Sequence, residues 1–288
     1  MELGHTPWKC SAALGHGRLR GLRVAFTAPG SYAPRLEQAL DREGAATVSC
    51  PTIAVERTPH TQSSVRRAVS ALHTYSCIAF TSRSGIASIA HALGEVRLSG
   101  CAELVVGALG KDAELIQELD LFKEHREQQR LTVVVPRVAT PDALVEELGD
   151  GAGRRLLCPV PYACGGLSEP DVVPNFVAAL QRHGWDVERL DAYATSWTGS
   201  ASVTPLLAGA VDALVFTSTA EVEGLLMALH AHHLTIASLW PCVLVAFGPV
   251  TARGAKRLGV DVDVVGHRFN SFTDLADLLV SHFRKRLD

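Results

Sequence analysis

Short apolar runs alternate along most of the chain with stretches that carry apolar residues on one helical face. An apolar run bounded by turn residues predicts a buried strand, and apolar residues three and four positions apart predict a helix. Strands are predicted at residues 22–27, 76–82, 102–106, 131–135, 155–158, 186–193, 211–218, 242–247 and 260–265. Residues 45–55 are predicted to be extended, and Pro51 limits them to an edge strand or a linker. Helices are predicted at residues 32–43, 63–72, 109–119, 142–148, 172–183, 249–258 and 272–283, and directly after residues 82 and 218. This alternation favours an α/β fold with parallel sheets.

One strand ending occurs twice. Phe80-Thr81-Ser82 returns as Phe216-Thr217-Ser218, and a helical pattern follows each copy. Other pairs of similar segments keep the same order in both halves: 105–110 with 246–251, and 140–144 with 271–275. Hydroxyl residues between a strand and a helix mark the carboxyl edge of a parallel sheet, where such sheets bind ligands. The repeat therefore predicts two α/β domains that face one ligand.

The composition is that of an ordinary globular chain. Hydrophobic residues make up 47% and charged residues 20% of the 288 residues, and the formal net charge is -3. This charge gives no global positive field that would attract nucleic acid or a membrane surface. The chain also has no apolar run of about 18 residues, as a membrane span requires. We therefore expect a soluble protein with no nucleic-acid or membrane partner.

The cysteines give no framework for disulfides or metal. There are seven, scattered and without a Cys-x-x-Cys pair, which indicates a reducing compartment. Cys158 and Cys164 flank a predicted Pro-rich turn at a spacing that matches no common zinc pattern. Residues 1–21 lack the apolar centre of a secretion signal and are predicted to form an irregular leader.

The segment Gly248-Pro249-Val250-Thr251 stands where a predicted strand passes into a predicted helix. Gly248 lets the backbone approach a ligand closely, and Pro249 suits the first helical turn. The free N–H groups of that turn suit a carboxylate or phosphate, and Thr251 adds a hydroxyl donor. An ordinary helix start accounts for the same pattern, so both interpretations stay open.

Three other side chains lie at predicted strand ends. Ser218 and Glu221 match a capping box, which favours a structural role for Ser218. Ser82 has Gly85 in the position of that glutamate, so we expect Ser82 to be freer to contact a ligand. Tyr193 ordinarily would be a packing residue, but its phenol is also a weak proton donor near neutral pH.

Common cofactor motifs are absent from the sequence. Residues 107–112 differ from a phosphate-binding Walker loop, because Val105 stands where that loop needs glycine and Asp112 where it needs serine or threonine. No Gly-x-Gly-x-x-Gly follows the first strand, which counts against a nicotinamide dehydrogenase. The histidines within residues 230–233 have no carboxylate or cysteine nearby in sequence, which favours a surface or capping role over a metal.

The order of these segments resembles the uroporphyrinogen-III synthase family over about residues 22–283. The segments that carry the resemblance are Phe80-Thr81-Ser82, Phe216-Thr217-Ser218, residues 190–195, residues 247–252 and residues 271–279. The family implies two Rossmann-like or flavodoxin-like domains with parallel sheets, joined by a two-stranded connector, with the active site in the cleft between them. For this chain the family implies a discontinuous domain formed by residues 22–50 and 203–288. Residues 56–192 would form the second domain, with connectors near 51–56 and 193–202.

The resemblance also implies an activity. The family's reaction is the cyclisation of hydroxymethylbilane to uroporphyrinogen III, a lyase reaction of tetrapyrrole biosynthesis that inverts ring D and releases water. No cofactor or metal is expected. We expect a monomer in the cytoplasm or plastid stroma, with hydroxymethylbilane as its small-molecule substrate and hydroxymethylbilane synthase as the enzyme upstream.

The resemblance further implies which residues form the site. Tyr193 matches the family tyrosine that helps the hydroxyl leave, and is the expected catalytic residue. Thr251 matches the family threonine at the second strand–helix turn. The expected substrate-binding residues are Thr81, Ser82, Gly107, Gly110, Thr217, Ser218, Gly248, Pro249 and Thr251.

Two departures from the family pattern leave a second hypothesis open. Gly110 stands where the family usually has a hydroxyl residue, and residues 158–166 form a longer, more Pro-rich segment than the usual turn. Both are expected on the cleft wall. They favour, as the alternative, a non-catalytic relative that binds or senses tetrapyrroles. A generic nucleotide binder ranks third, because the glycine fingerprint is missing.

Overall fold

The computed structural model describes residues 17–95, 103–110, 112–118, 131–267 and 271–284. Residues 1–16 of the predicted leader, and the start of the strand predicted at 102–106, lie outside this part. Residues 17–21 form a turn that places Leu19 fully inside the core.

Strands and helices alternate along the described residues. The strands are β1 (Arg23–Phe26), β2 (Ala46–Ser49), β3 (Ile53–Glu56), β4 (Cys77–Phe80), β5 (Leu104–Ala108), β6 (Leu131–Val134), β7 (Arg155–Cys164), β8 (Asp186–Trp197), β9 (Ala213–Phe216), β10 (Val243–Ala246) and β11 (Val264–Val265). The helices are α1 (Ala33–Arg42), α2 (Pro59–Ser70), α3 (Arg83–Glu95), α4 (Asp112–Glu118), α5 (Pro141–Leu148), α6 (Val172–Arg182), α7 (Thr204–Leu207), α8 (Thr219–Ala231), α9 (Pro249–Arg257) and α10 (Phe272–Arg284).

The strands form two sheets. The first has the order β11-β10-β9-β1-β2 and is parallel throughout. The second has the order β3-β8-β7-β4-β5-β6 and is parallel except for β3, which runs antiparallel to β8. We call the first sheet and its helices the terminal lobe, because its strands come from residues 23–49 and 213–265. The second sheet and its helices are the central lobe. This architecture confirms the predicted α/β class.

Each sheet is covered by helices on both faces, which explains why the inner strands β4 and β9 are apolar throughout. In β1, Val24 and Phe26 pack towards α1 and α10, whereas Ala25 between them packs towards α8. In the central lobe, Ile78 and Phe80 of β4 belong to a different core cluster from the neighbouring Cys77 and Ala79. Because each sheet has helices on both faces, its carboxyl edge stays available for a ligand.

The extended segment predicted at 45–55 consists of two strands. Residues up to Ser49 pair with β1 in the terminal lobe, whereas Ile53–Glu56 pair with the end of β8 in the central lobe. Pro51 lies between them and ends the first strand. Thus β3 and the last residues of β8 form an antiparallel pair where the chain passes between the lobes, as the two-stranded connector implies.

The Pro-rich turn predicted around residues 158–166 is wrong. Strand β7 continues to Cys164 and pairs with β8 along its whole length, with one irregularity between Val160 and Pro161. Strand β4 pairs with β7 only up to Leu157. The prolines therefore lie where one edge of β7 is open, and their missing N–H groups break no ladder on that side.

Candidate active site

A cavity of about 390 Å³ lies between the two lobes. It is bordered by the carboxyl ends of β4 and β9, by the start of α9, by the loop between β1 and α1, and by Tyr193 of β8. Its walls combine hydroxyl groups with apolar side chains such as Val160, Phe176 and Phe247. Both copies of the repeated strand ending therefore face one cavity.

Most of the residues predicted for the site line this cavity. They are Thr81, Ser82, Gly110, Tyr193, Thr217, Ser218, Gly248, Pro249 and Thr251. Gly107 is the exception. It lies inside β5, and a Cβ built there would approach Leu144 at 3.0 Å and Leu148 at 3.3 Å. Its small size serves the packing of α5 on the sheet, so Gly107 has no place in the site.

Ser82 and Tyr193 form a pair on the central-lobe wall. The Ser82 Oγ lies 2.9 Å from the Tyr193 hydroxyl oxygen and also accepts the Gly85 N–H at 3.2 Å. Ser82 thus caps α3 although Gly85 stands in the position of the capping-box glutamate, and it also lines the cavity. Either hydroxyl can donate in the bond between Ser82 and Tyr193. When Ser82 donates, the phenol proton of Tyr193 stays available to a group in the cavity.

The phenol of Tyr193 keeps its proton at neutral pH. Its side chain is 7% exposed. Burial raises the pKa of Tyr193 to about 12; the hydrogen bond with Ser82 opposes the rise, and the charge of Asp112 adds to it. A protonated phenol at the wall of a cavity can donate a hydrogen bond, or a proton, to an oxygen bound beside it.

On the opposite wall, the buried carboxylate of Glu221 organises the β9–α8 turn. It accepts the Thr217 N–H at 2.8 Å, the Thr27 hydroxyl at 2.8 Å, the Ser218 hydroxyl at 3.1 Å and the Thr217 hydroxyl. Ser218 in turn accepts the Glu221 N–H at 3.4 Å. Burial raises the pKa of Glu221, and these hydrogen bonds lower it.

The predicted capping box is therefore present in modified form. Ser218 caps α8 as expected, but the glutamate returns to the N–H of Thr217 rather than to that of Ser218. The capping pattern gave no sign of Thr27 or of the wider role of Glu221, because it does not show that the end of β1 lies beside the end of β9.

Thr251 has a structural partner. Its hydroxyl donates to the Thr217 carbonyl at 3.0 Å, and the residue is buried. It therefore ties the start of α9 to the β9–α8 turn, whereas the sequence predicted a hydroxyl available to a ligand. Gly248 precedes α9 in an extended conformation, and no side chain caps that helix. The N–H groups of its first turn suit an anion in the cavity.

A second polar group lies on the cavity wall and was not predicted. Arg83 follows the first hydroxyl pair, and its Nη1 is 3.6 Å from the Asp112 Oδ1. Arg35 and Tyr32 of the terminal lobe also line the cavity. Ser84 of the central lobe lines it too, and its side chain lowers the pKa of Tyr32, so these two residues meet across the cleft.

The electrostatics of this group are set mainly by burial. Burial raises the pKa of Asp112 to about 6, and the charges of Arg83 and Arg35 oppose the rise. Burial also raises the pKa of Tyr32, with a further contribution from the Asp112 charge. The two arginines give the cavity local positive charge although the whole chain is slightly acidic.

Other contacts hold the rims of the cleft together. The Glu223 carboxylate of α8 accepts the Ser168 N–H at 3.0 Å and the Ser168 hydroxyl at 2.7 Å. Arg257 of α9 pairs with Asp171 just before α6. Within the described ranges, no group of three or more histidine, cysteine, aspartate or glutamate side chains is placed to hold a metal ion. The same ranges contain no helix long and apolar enough to cross a membrane.

A family model described as uroporphyrinogen-III synthase HemD matches residues 34–272. The chain belongs to the uroporphyrinogen-III synthase family. Its fold is similar to that of a mutant uroporphyrinogen III synthase from the extremely thermophilic bacterium Thermus thermophilus, with a TM-score of 0.61 and 21% identity over 93% of this chain and 99% of that one. The Helicobacter pylori 26695 uroporphyrinogen-III synthetase matches with a TM-score of 0.42 and 13% identity, over 91% and 99% of the two chains. A comparison with curated proteins gives no significant match.

Within the uroporphyrinogen-III synthase family, the departure at Gly110 has a backbone explanation. Gly110 has a φ of +48°, which lies in the left-handed region. A serine or threonine would be strained there, because its Cβ approaches the following carbonyl oxygen. The glycine thus fits the local turn between β5 and α4, and Gly110 still lines the cavity.

Proposed function

We propose that this protein cyclises hydroxymethylbilane to uroporphyrinogen III, with inversion of ring D and release of water. The observation that carries the proposal is the buried, protonated phenol of Tyr193 on a cavity that both copies of the hydroxyl-ended strand also face. Membership of the uroporphyrinogen-III synthase family supports the same reaction.

The cavity has the groups that such a substrate needs. Hydroxymethylbilane carries many carboxylates, which the guanidinium groups of Arg35 and Arg83 can bind. The N-termini of α3, α8 and α9 add hydrogen-bond donors and positive dipole ends. The apolar side chains between them suit the faces of pyrrole rings. Binding would therefore spread over both lobes of one chain, so a monomer suffices.

The chemical step needs one proton donor and a fixed geometry. Tyr193 gives its proton to the hydroxyl oxygen as the carbon–oxygen bond breaks, and water leaves. Ring D then closes through a spiro intermediate, and the proton lost from the ring carbon at the end returns to the phenolate. Because the free substrate closes by itself without inversion, the protein contributes mainly position and electrostatic stabilisation. No metal or cofactor takes part in this sequence.

The test is incubation of the purified protein with freshly prepared hydroxymethylbilane, followed by separation of the product isomers. The proposal predicts the type III isomer, whereas buffer alone gives type I. Type I alone in the presence of protein would reject the proposal. If calorimetry then showed binding of the tetrapyrrole without turnover, the protein would be a binding relative of the family.

A further inference from the structure

The side chain of Asp112 occupies an unexpected position for a site that takes a polycarboxylate. It lines the cavity together with Arg83 and Tyr193, and its side chain is 25% exposed. Among the described lining residues, the acids are Asp112 and Glu221. Donors surround Glu221 in the β9–α8 turn, whereas the arginine beside Asp112 is 3.6 Å away, beyond ordinary hydrogen-bond distance. The carboxylate of Asp112 therefore retains capacity for a further positive partner.

Four charged or titratable groups face Asp112 from the elements around it. Arg83 comes from α3 and Arg35 from α1, and both lower its pKa. Tyr32 comes from the loop before α1 and Tyr193 from β8, and the charge of Asp112 raises the pKa of both phenols. Asp112 thus lies close to the expected proton donor and helps keep it protonated.

A carboxylate at this position repels the carboxylates of the substrate and so weakens their binding. Its charge is useful only where positive charge forms during the reaction, because a group that acts on the transition state alone raises the rate without tightening ground-state binding. Loss of the hydroxyl group from hydroxymethylbilane forms such a charge. The electron pair of the carbon–oxygen bond leaves with the oxygen, and the terminal pyrrole becomes a cation.

We propose that the Asp112 carboxylate is the counter-charge that stabilises this pyrrole cation. This inference rests on the proposed function. The departing oxygen takes the Tyr193 proton and leaves as water, and Asp112 faces the cation until a new carbon–carbon bond neutralises it. The proton released from the ring carbon then returns to the Tyr193 phenolate, so Asp112 gains and loses no proton overall.

The test compares Asp112→Asn with the wild-type protein in kcat, KM and pH dependence. Asp142→Asn is the matched control, because Asp142 lies in the first turn of α5, is exposed and does not line the cavity. For Asp112→Asn we expect kcat to fall by roughly ten- to a hundredfold, as for the loss of one preorganised electrostatic group. KM should stay level or decrease, because a repelling charge is removed. The product should remain type III.

The pH profile separates this role from a merely structural one. Wild-type kcat should fall when the pH drops below about 6, where Asp112 becomes protonated. That decrease should be absent in Asp112→Asn, and Asp112→Glu should recover part of kcat. If Asp112 only positioned Arg83, its removal would raise KM and leave the shape of the profile unchanged.

Two results would overturn the inference while leaving the proposed function intact. One is an Asp112→Asn variant that makes type III product with wild-type kcat. The other needs no variant: a wild-type kcat that is constant from about pH 5 to about pH 8. A wild-type protein that makes only type I product would instead reject the proposed function itself.

Discussion

The hydroxyl oxygens of Ser82 and Tyr193 lie 2.9 Å apart, although the residues are 111 positions apart in the sequence. Ser82 ends the first copy of the repeated strand, and Tyr193 lies near the end of β8, where the chain begins to leave the central lobe. Their hydrogen bond fixes the direction of the phenol at the cavity wall. The role proposed for Tyr193 as proton donor depends on this contact.

Replacing Tyr193 by phenylalanine should lower kcat roughly tenfold or more, because the proposed proton donor of the step is removed. The ring remains, so packing in the core cluster of the central lobe should be preserved. Tyr75→Phe is the matched control, because Tyr75 is a buried tyrosine of the same cluster that does not line the cavity. Steady-state kinetics with both variants check this. Equal kcat values would remove Tyr193 from the mechanism.

Replacing Glu221 by alanine should destabilise the protein by about 2–4 kcal/mol, since several buried donors lose their acceptor. Glu147→Ala provides the control, because Glu147 is exposed on α5 and should change stability by about 0.5 kcal/mol or less. Urea unfolding of the three proteins measures the difference. A Glu221→Ala protein as stable as the control would show that the Thr217 turn does not depend on this carboxylate.

Replacing Gly110 by a hydroxyl residue, as the family usually has there, should improve neither the stability nor the activity of this protein. Gly110→Ser should cost about 1–2 kcal/mol in stability, because φ is +48° at this position. Gly110→Asn should cost less, since asparagine tolerates the left-handed region better than serine. Thermal unfolding and kcat are measured together. A serine variant with unchanged stability and higher kcat would mean that the missing hydroxyl limits activity.

Asp112 should lower the stability of the folded protein at neutral pH. Its pKa is about 6 in the folded state and 3.8 ordinarily, so between these values the folded protein retains a proton that the unfolded chain loses. Stability therefore falls as the pH rises from about 4 to about 6, and the loss persists above that range. Asp112→Asn should be more stable than wild type by about 1–3 kcal/mol at pH 7. The gain should vanish near pH 3.5, below both values. Denaturant unfolding at the two pH values checks this, and a gain of equal size at both would contradict it.

The local pattern of apolar and polar residues was sufficient to predict most of the strands and helices. The apolar runs of β4 and β9 and the helices after them are present where the alternation predicted them, because strands buried on both faces leave a strong signal. For residues 45–55, Pro51 indicated an edge or a linker, and the chain does pass from one sheet to the other there. The length of β7 was missed because its prolines are tolerated only where β4 has stopped pairing.

The site residues that belong to a strand–helix motif could be predicted from the sequence. Thr81, Thr217 and Pro249 line the cavity because their strand–helix turns meet at the carboxyl edges of the sheets. Tyr32 gave no local signal, since only the packing of one lobe against the other brings it to the cavity. Asp112 follows the predicted turn at Gly110, but no motif showed that its side chain would line the cavity. The roles of Ser82 and Thr251 were also beyond the sequence, because their hydroxyls bond to partners distant along the chain.

The fraction of type III product, measured as protein is added to fresh hydroxymethylbilane, tests the central claim most directly. With rising protein concentration the account predicts that type III replaces the type I isomer of the uncatalysed reaction, and that Tyr193→Phe requires much more protein for the same fraction. A product that stays type I at every concentration of folded wild-type protein would contradict the account.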